Sequence, residues 1–124
     1  MEYAHPSLRS NKNIVLVAVK QDGRALRFAM GDLNDDYLIV AYAVLNHKEA
    51  LRYASPRLQN DDEIVKLSVQ SNGDSLEYAS SDLRDNFYIV HAAIQNNKGK
   101  AIRFASNKLK NMSFLAKSVV KEPF

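Results

Sequence analysis

The residue types that most often carry enzyme chemistry are few in this chain and lie far apart. The three histidines, His5, His47 and His91, include no pair at the i, i+4 spacing of a helical metal site. The chain has no cysteine, so it offers no thiolate nucleophile and no sulfur ligand for zinc, which also fits a reducing compartment. We therefore predict no catalytic residue, no metal and no cofactor.

The acidic residues are numerous, but most of them stand where a structural role explains them. An acidic group at the start of a helix is favoured by the helix dipole and can cap free backbone N–H groups. Five carboxylates crowd the predicted helix starts: Asp35, Asp61, Asp62, Glu63 and Asp85. The four glycines also form no phosphate-binding loop, so we predict that the protein is not an enzyme.

Basic residues concentrate near the carboxyl end. From Gln95 to Phe124 seven basic residues face one acidic residue, Glu122, whereas the preceding chain is net acidic. Such an end could bind nucleic acid or another anion, or could be the solvated face of a terminal repeat. Helical repeats that read nucleic acid place their contacts in every repeat, whereas here the basic residues cluster at one end. Nucleic-acid or anion binding is therefore our alternative hypothesis and not our first one. The candidate basic patch consists of Lys98, Lys100, Arg103, Lys108 and Lys110.

The elements that must position any functional residue are copies of a short repeat. An aromatic-Ala pair recurs at steps of 25, 25, 25 and 26 residues, and a leucine follows each pair at the same steps. The leucines are Leu8, Leu33, Leu58, Leu83 and Leu109. Other residues, such as Pro6 and Pro56, match at 50 residues, which indicates a duplicated pair of units. We predict one domain, 1–124, with units of about 1–23, 24–48, 49–73, 74–99 and 100–124.

Each unit is predicted to hold a longer apolar helix and a short second helix. The longer helices carry apolar residues at i, i+1, i+4 and i+5, as in Ile64–Val69, which places them on one face. We expect Gly23, Gly73 and Gly99 to end these helices in the left-handed conformation. The predicted N-caps are Ser10, Asp35, Asn60, Asp85 and Asn111. The predicted fold class is all-α, an array of nine or ten helices whose stacked units share one core.

One surface does not fit a solvated exterior. On the second longer helix Leu38, Tyr42 and Leu45 follow an i, i+4, i+7 pattern on the side turned away from the core. In the third unit polar residues, Glu63 and Gln70, hold the positions of the two leucines. We interpret the stripe as a face covered by a second copy of the protein or by a partner protein, with internal packing as the alternative. The candidate interface consists of Tyr37, Leu38, Tyr42, Leu45, Phe87 and Tyr88.

The repeat resembles a catalogued family. Between Leu51 and Leu76 the chain reads aromatic-Ala-Ser-x-x-Leu-x-Asn-Asp, then Ile-Val and Val, then Asn-Gly-x-Ser-Leu. This pattern is similar to the repeat of DUF4116, a domain of unknown function, and the similarity extends more loosely over nearly the whole chain. The family has no assigned catalytic residues, so the resemblance implies none here.

The resemblance also implies a function. A small two-copy member, similar to this chain in size and duplication, is a Legionella effector that inhibits a pair of ubiquitin-modifying effectors, a transglutaminase and a deamidase. By this resemblance the chain is expected to be a noncatalytic, partner-binding inhibitor of such a ubiquitin transglutaminase/deamidase effector. The expected location is the bacterial cytoplasm, with transfer into the host cytosol by type IV secretion.

The sequence gives two further indications of location. The start, Met1–Tyr3, has no basic head and no apolar core of a Sec-type signal. The longest apolar run, Tyr37 to Leu45, is far shorter than the roughly 20 residues of a membrane-spanning helix. We therefore expect a protein that is neither exported by the Sec route nor embedded in a membrane.

Overall fold

The structure, a computed structural model, describes residues 6–112, with side chains from residue 8 onward. It contains eight α-helices, α1 (Pro6–Arg9), α2 (Lys12–Gln21), α3 (Tyr37–Asn46), α4 (Pro56–Gln59), α5 (Asp62–Ser71), α6 (Ser81–Arg84), α7 (Phe87–Asn96) and α8 (Asn107–Lys110). Five 3-10 helices accompany them, η1 (Gly23–Phe28), η2 (Leu33–Asp35), η3 (Ala50–Tyr53), η4 (Gly73–Tyr78) and η5 (Lys100–Phe104). Within 6–112 no strand is present, so the all-α prediction is confirmed.

The order of elements differs in detail from the prediction. A one-turn helix carrying the repeat leucine precedes each ten-residue helix, and a 3-10 helix follows it. The predicted short second helix is present in each of these units as a 3-10 helix, whose backbone bonds close over three residues, as from Ser75 N–H to the Asn72 carbonyl at 2.9 Å. The sequence also predicts a closing helix from Leu109 to Val120. α8 ends at Lys110 and the next two residues, Asn111 and Met112, are not helical, while residues 113–120 lie outside the described part of the chain.

The four ten-residue helices lie side by side and run in the same direction. At their starts Lys12 Nζ of α2 lies 3.0 Å from Asp36 Oδ2, which precedes α3. At their ends Asn46 Nδ2 of α3 donates to the Lys20 carbonyl of α2 at 3.0 Å. Because both ends of neighbouring helices meet in this way, each helix presents the same side inward. The core is built from these inner sides, including Val15, Val19, Ile39, Val40, Val44, Ile64, Val65, Val69, Ile89, Val90 and Ile94.

The N-caps of the long helices lie one residue later than predicted. Asn11, Asp36, Asp61 and Asn86 accept from backbone N–H groups in the first turn. Three of the residues predicted as caps, Asp35, Asn60 and Asp85, accept instead from a serine of the next unit. Ser55 Oγ donates to Asp35 at 2.5 Å, and Ser80 Oγ donates to Asn60 at 2.5 Å. Where two polar residues are adjacent, as at Asp35 and Asp36, the first therefore binds the neighbouring unit and the second caps the helix.

The same serines join consecutive units through the backbone. Ser55 N–H donates to the Asn34 carbonyl, and Ser80 N–H donates to the Gln59 carbonyl, each at 2.9 Å. At the equivalent place in the first junction Met30 N–H donates to the Arg9 carbonyl at 2.9 Å. Methionine has no hydroxyl with which to cap the next short helix. That helix, η2, starts later, with Asp32 at its N-cap, and has no side-chain cap, unlike α4 and α6.

Gly23 and Gly73 allow two helices to pack closely, and they do not form the left-handed turns that were predicted for them. A Cβ at Gly23 or Gly73 would collide with the carbonyl oxygen of Ala43 or Ala93, and neither glycine has a positive φ. Only Gly99 of the three is left-handed, with φ 92°, and Lys98 before it has φ 58°. Gly99 N–H donates back to the Ile94 carbonyl at 2.8 Å, so this turn closes α7 and absorbs the extra residue of the last step.

An asparagine completes each of these close junctions. Gly23 N–H donates to Asn46 Oδ1 at 2.6 Å, while Asn46 Nδ2 reaches the Lys20 carbonyl. Fifty residues later Gly73 N–H donates to Asn96 Oδ1 at 2.7 Å, and Asn96 Nδ2 donates to the Gln70 carbonyl at 2.9 Å. We call each glycine with its asparagine a Gly–Asn clamp. The junction between α3 and α5 has Lys48 and Ser71 at these two positions.

Candidate protein-binding surface

The predicted stripe lies on the outer side of α3. The side chains of Leu38, Tyr42 and Leu45 are 44%, 39% and 52% exposed. The opposite side of the same helix supplies buried core residues, namely Ile39, Val40, Ala43 and Val44. Packing between repeats therefore leaves the stripe at the surface. A helix packed on one side of a core needs only one apolar side, so the second apolar side of α3 is not needed for the fold.

The first long helix extends this apolar surface. Val17 of α2 is 57% exposed and holds the repeat position of Tyr42. Beside it, the Lys20 ammonium lies 4.7 Å from the centre of the Tyr42 ring, a cation–π contact that fixes one edge of the stripe. The candidate interface predicted from the sequence does not include Val17 or Lys20. Val17 shares the repeat position of Tyr42, but a shared position does not by itself tell a covered residue from an exposed one.

A groove lies on the outer side of the third long helix, beside Tyr37 at the start of α3. Tyr37 is exposed and its hydroxyl donates to Glu63 Oε1 at 3.1 Å across the start of the groove. This bond to the Glu63 carboxylate raises the pKa of Tyr37, because ionised tyrosine would lose the bond and face a like charge. The groove has a volume of about 350 Å³ and is lined by Tyr37, Glu63, Lys66, Leu67 and Gln70. It presents a carboxylate and an ammonium around an apolar floor.

The remaining two candidate interface residues lie on α7. Tyr88 is 80% exposed, whereas Phe87 is half-buried and packs against the core. Their rings meet edge to face at 5.2 Å, and Phe87 also lies 5.4 Å from the His91 ring. The structure thus places five of the six predicted residues in the exposed layer and assigns Phe87 in part to the core. The mainly polar outer side of α5 separates Tyr88 from the stripe on α3.

The predicted basic patch occupies three consecutive elements at the far end of the array. Lys98 lies in the turn after α7, Lys100 and Arg103 in η5, and Lys108 and Lys110 in α8. All five side chains are exposed. Arg103 is partly neutralised, since its guanidinium lies 3.2 Å from Asp74 and 4.6 Å from the centre of the Phe104 ring. The patch therefore has fewer free charges than its composition suggests.

Several carboxylates of the described region are engaged in structural contacts. Asp61 caps α5, and Asp35 accepts from Ser55 and Arg57, bonds that hold the pKa of Asp35 below its usual value. Within residues 6–112 no group of three or more histidines and carboxylates could hold a metal ion. Nor does this part of the chain include a helix long and apolar enough to cross a bilayer.

Comparison with known proteins identifies the repeat. No curated protein and no solved structure gives a significant match. The model of one family, described as Domain of unknown function (DUF4116), matches residues 1–33 and 36–84, more than half of the 124 residues. The chain therefore belongs to the DUF4116 family.

Proposed function

We propose that this protein is a noncatalytic binding module that docks onto a partner protein through the outer side of α3. The observation that carries the proposal is the exposure of Leu38, Tyr42 and Leu45 on one side of a helix whose other side is buried. Burying a large apolar side chain gains roughly 1.5–3 kcal/mol, and this gain is available to a partner that covers the stripe.

The surroundings of the stripe suit a protein partner. Protein interfaces combine an apolar centre with a polar, partly charged rim. Here the apolar centre is flanked by Lys20 on the side of α2 and by Glu63 on the side of α5. Tyrosine is among the residues that most often dominate binding energy, and Tyr37 and Tyr42 both stand beside the leucines.

The partner we propose is a ubiquitin transglutaminase/deamidase of the effector type, which the chain would inhibit by binding. Support comes from the resemblance to a small inhibitor of such enzymes within the same repeat family. On this proposal the protein is made in a bacterial cytoplasm and acts in a host cytosol after type IV secretion. Inhibition requires only that the bound module obstruct the enzyme, which fits a chain with no proposed catalytic residue.

The test is a double variant, Leu38→Glu with Leu45→Gln. These are the residue types that α5 carries at the same positions, as Glu63 and Gln70, so the fold already tolerates them. We expect unchanged helical circular dichroism, and loss of binding to and inhibition of the purified transglutaminase/deamidase by roughly thirtyfold or more, as for two central interface residues. The matched control is Asn13→Glu with Gln95→Glu, which adds charge at equivalent positions without removing a leucine.

A salt titration separates this proposal from the alternative of an anion-binding module. An apolar contact should change little between low and high salt, whereas binding to phosphates through Lys98, Lys100 and their neighbours should weaken steeply. If the double variant binds the enzyme as well as wild type does, the stripe is not the binding surface. Binding that survives in the variant and also falls steeply with salt would favour the basic patch.

A further inference from the structure

The third unit contains the one Asn–Gly pair of the sequence, Asn72 with Gly73. Asparagine followed by glycine is the pair most prone to spontaneous deamidation, because glycine turns freely and has no side chain to hinder attack by its own backbone nitrogen. Asn72 is half-buried at the end of α5, and Gly73 is buried at the start of η4. The reactive pair therefore lies within the close junction between α5 and α7.

Deamidation of this pair has defined structural requirements. The Gly73 backbone nitrogen loses its proton to solvent base and attacks Cγ of Asn72. The new C–N bond closes an imide ring, the bond from Cγ to Nδ2 breaks, and ammonia leaves. Water then opens the ring, giving aspartate if it attacks Cγ and isoaspartate if it attacks the main-chain carbonyl carbon. The reaction therefore needs a free Gly73 N–H and a nitrogen that can reach Cγ.

The folded chain meets neither requirement. Gly73 N–H donates to Asn96 Oδ1 at 2.7 Å, in the Gly–Asn clamp between α5 and α7. The ψ angle of Asn72 is 109°, which turns the Gly73 nitrogen away from the Asn72 side chain. That side chain is also held, since Asn72 Oδ1 accepts from Asp74 N–H at 3.1 Å. Attack therefore requires rotation about this ψ angle, and the rotation breaks the clamp.

Packing opposes the same rotation. Gly73 lies directly against α7, where a Cβ would collide with the Ala93 carbonyl oxygen and with the Asn97 side chain. A reaction that occurs only in a locally opened state has a rate proportional to the population of that state. We propose that Asn72 is a site of spontaneous deamidation and that the clamp controls its rate, because the reaction proceeds only when the α5–α7 junction opens.

The first unit shows what the aspartate product would lack. Asp22 holds the repeat position of Asn72 and accepts from Arg24 N–H at 3.0 Å. The Arg24 guanidinium also lies 2.9 Å from Asp22 Oδ2 and balances its charge. In the third unit the residue equivalent to Arg24 is Asp74, so an aspartate at position 72 would meet a like charge. Deamidation should therefore weaken the junction between α5 and α7.

The experiment follows deamidation at Asn72 in the full chain by mass spectrometry of its peptides, sampled over time in mildly alkaline buffer. In urea-denatured wild type we expect the fast rate of an unrestrained Asn–Gly pair. In folded wild type the rate should be lower by roughly tenfold or more, because only the opened junction reacts. Equal rates in the folded and denatured chains would overturn the proposal.

Asn96→Ala tests the clamp itself, since it removes the acceptor of Gly73 N–H. We expect deamidation at Asn72 to be roughly tenfold faster than in folded wild type, because both hydrogen bonds of the Asn96 amide stabilise the closed junction. The matched control is Asn46→Ala, which opens the equivalent clamp at Gly23 and should leave the rate at Asn72 near that of wild type. Circular dichroism checks that both variants fold.

Two results with these variants would contradict control by the clamp. One is an Asn96→Ala chain that folds and deamidates at the wild-type rate. The other is equal acceleration in Asn46→Ala, which would mean that the reaction follows global unfolding. If Asn96→Ala does not fold, the comparison of folded and denatured wild type still decides. Asn72→Asp, the direct product, should unfold at a lower urea concentration than wild type, and equal stability would refute the predicted weakening of the junction.

Discussion

The second and third long helices, α3 and α5, are equivalent elements of the repeat that share their buried side and differ on their exposed side. On the inner side both place Ile-Val and a later Val in the core, all at most 1% exposed. On the outer side α3 carries Leu38 and Leu45, where α5 carries Glu63 and Gln70. The array therefore constrains one side of each helix and leaves the other side open to differ from unit to unit. A functional surface can arise on one unit without any change in the fold.

The largest loss of stability should come from substitutions on the buried, inner sides of α3 and α5. Ile39→Ala and Ile64→Ala should each lower the free energy of unfolding by about 2–5 kcal/mol, because both isoleucines are fully buried and truncation leaves a cavity. Urea denaturation followed by circular dichroism measures both. Leu38→Ala is the matched outer substitution in α3 and should cost far less. If Leu38→Ala destabilises the protein as much as Ile39→Ala does, the two sides of the helix are not distinct.

A smaller effect should follow from the one inner position where the two helices differ. Ser68 of α5 is buried at the place that Ala43 holds in α3, and its hydroxyl has no hydrogen-bond partner within the described residues. Ser68→Ala should raise the free energy of unfolding by about 1–2 kcal/mol, since it removes an unsatisfied buried hydroxyl. The reverse change, Ala43→Ser, should lower it. A destabilising Ser68→Ala would mean that the hydroxyl has a bonding partner in solution.

The smallest effect concerns the ends of α2 and α5, where Asp22 and Asn72 hold the same position. Hydrogen bonds from the Arg24 side chain and backbone lower the pKa of Asp22 from 3.8 to about 2. A lowered carboxyl pKa stabilises the folded state above the unfolded value, and this contribution is lost as pH falls from about 4 to about 2. Asp22→Asn introduces the residue that the third unit has at this position, Asn72, and removes the titrating carboxyl group. The stability difference between wild type and this variant should therefore shrink over that range.

The size of this pH effect should be modest, because the Asp22 side chain is 45% exposed and solvent screens its ion pair. Thermal melts of both proteins at several pH values measure it. Arg24→Gln provides the control, since it removes the main cause of the lowered pKa. A difference that stays constant down to pH of about 2 would show that Asp22 is not ionised more readily in the folded protein.

Periodicity in the sequence was enough to predict the inner sides of the helices. Leu58 and Leu83, two of the repeat leucines, are buried at 0% and 5% exposure, and so is Leu109. The exposed stripe on α3 followed from the same register. Val17 was left out because comparison with Tyr42 alone could not tell a covered position from an open one.

Features set by neighbouring units could not be predicted from local sequence. Two adjacent residues, such as Asp35 and Asp36, can each cap a helix, and the choice depends on Ser55 of the next unit, which binds Asp35. Gly73 follows an asparagine, a common local signal for a left-handed turn, but its real constraint is the approach of the Ala93 carbonyl. Both outcomes depend on contacts more than 15 residues away along the chain.

The two Gly–Asn clamps have a consequence for how such a chain can gain or lose copies. They join α2 to α3 and α5 to α7, whereas Lys48 and Ser71 stand at the intervening junction. Deleting residues 24–48 would bring Ser71 opposite Gly23. Serine is shorter than asparagine and has one oxygen, whereas Asn46 accepts from Gly23 through Oδ1 and donates to the Lys20 carbonyl through a separate atom, Nδ2. Deleting two units together would keep a glycine opposite an asparagine. In evolution or in design, arrays of this kind should lengthen and shorten by pairs of units.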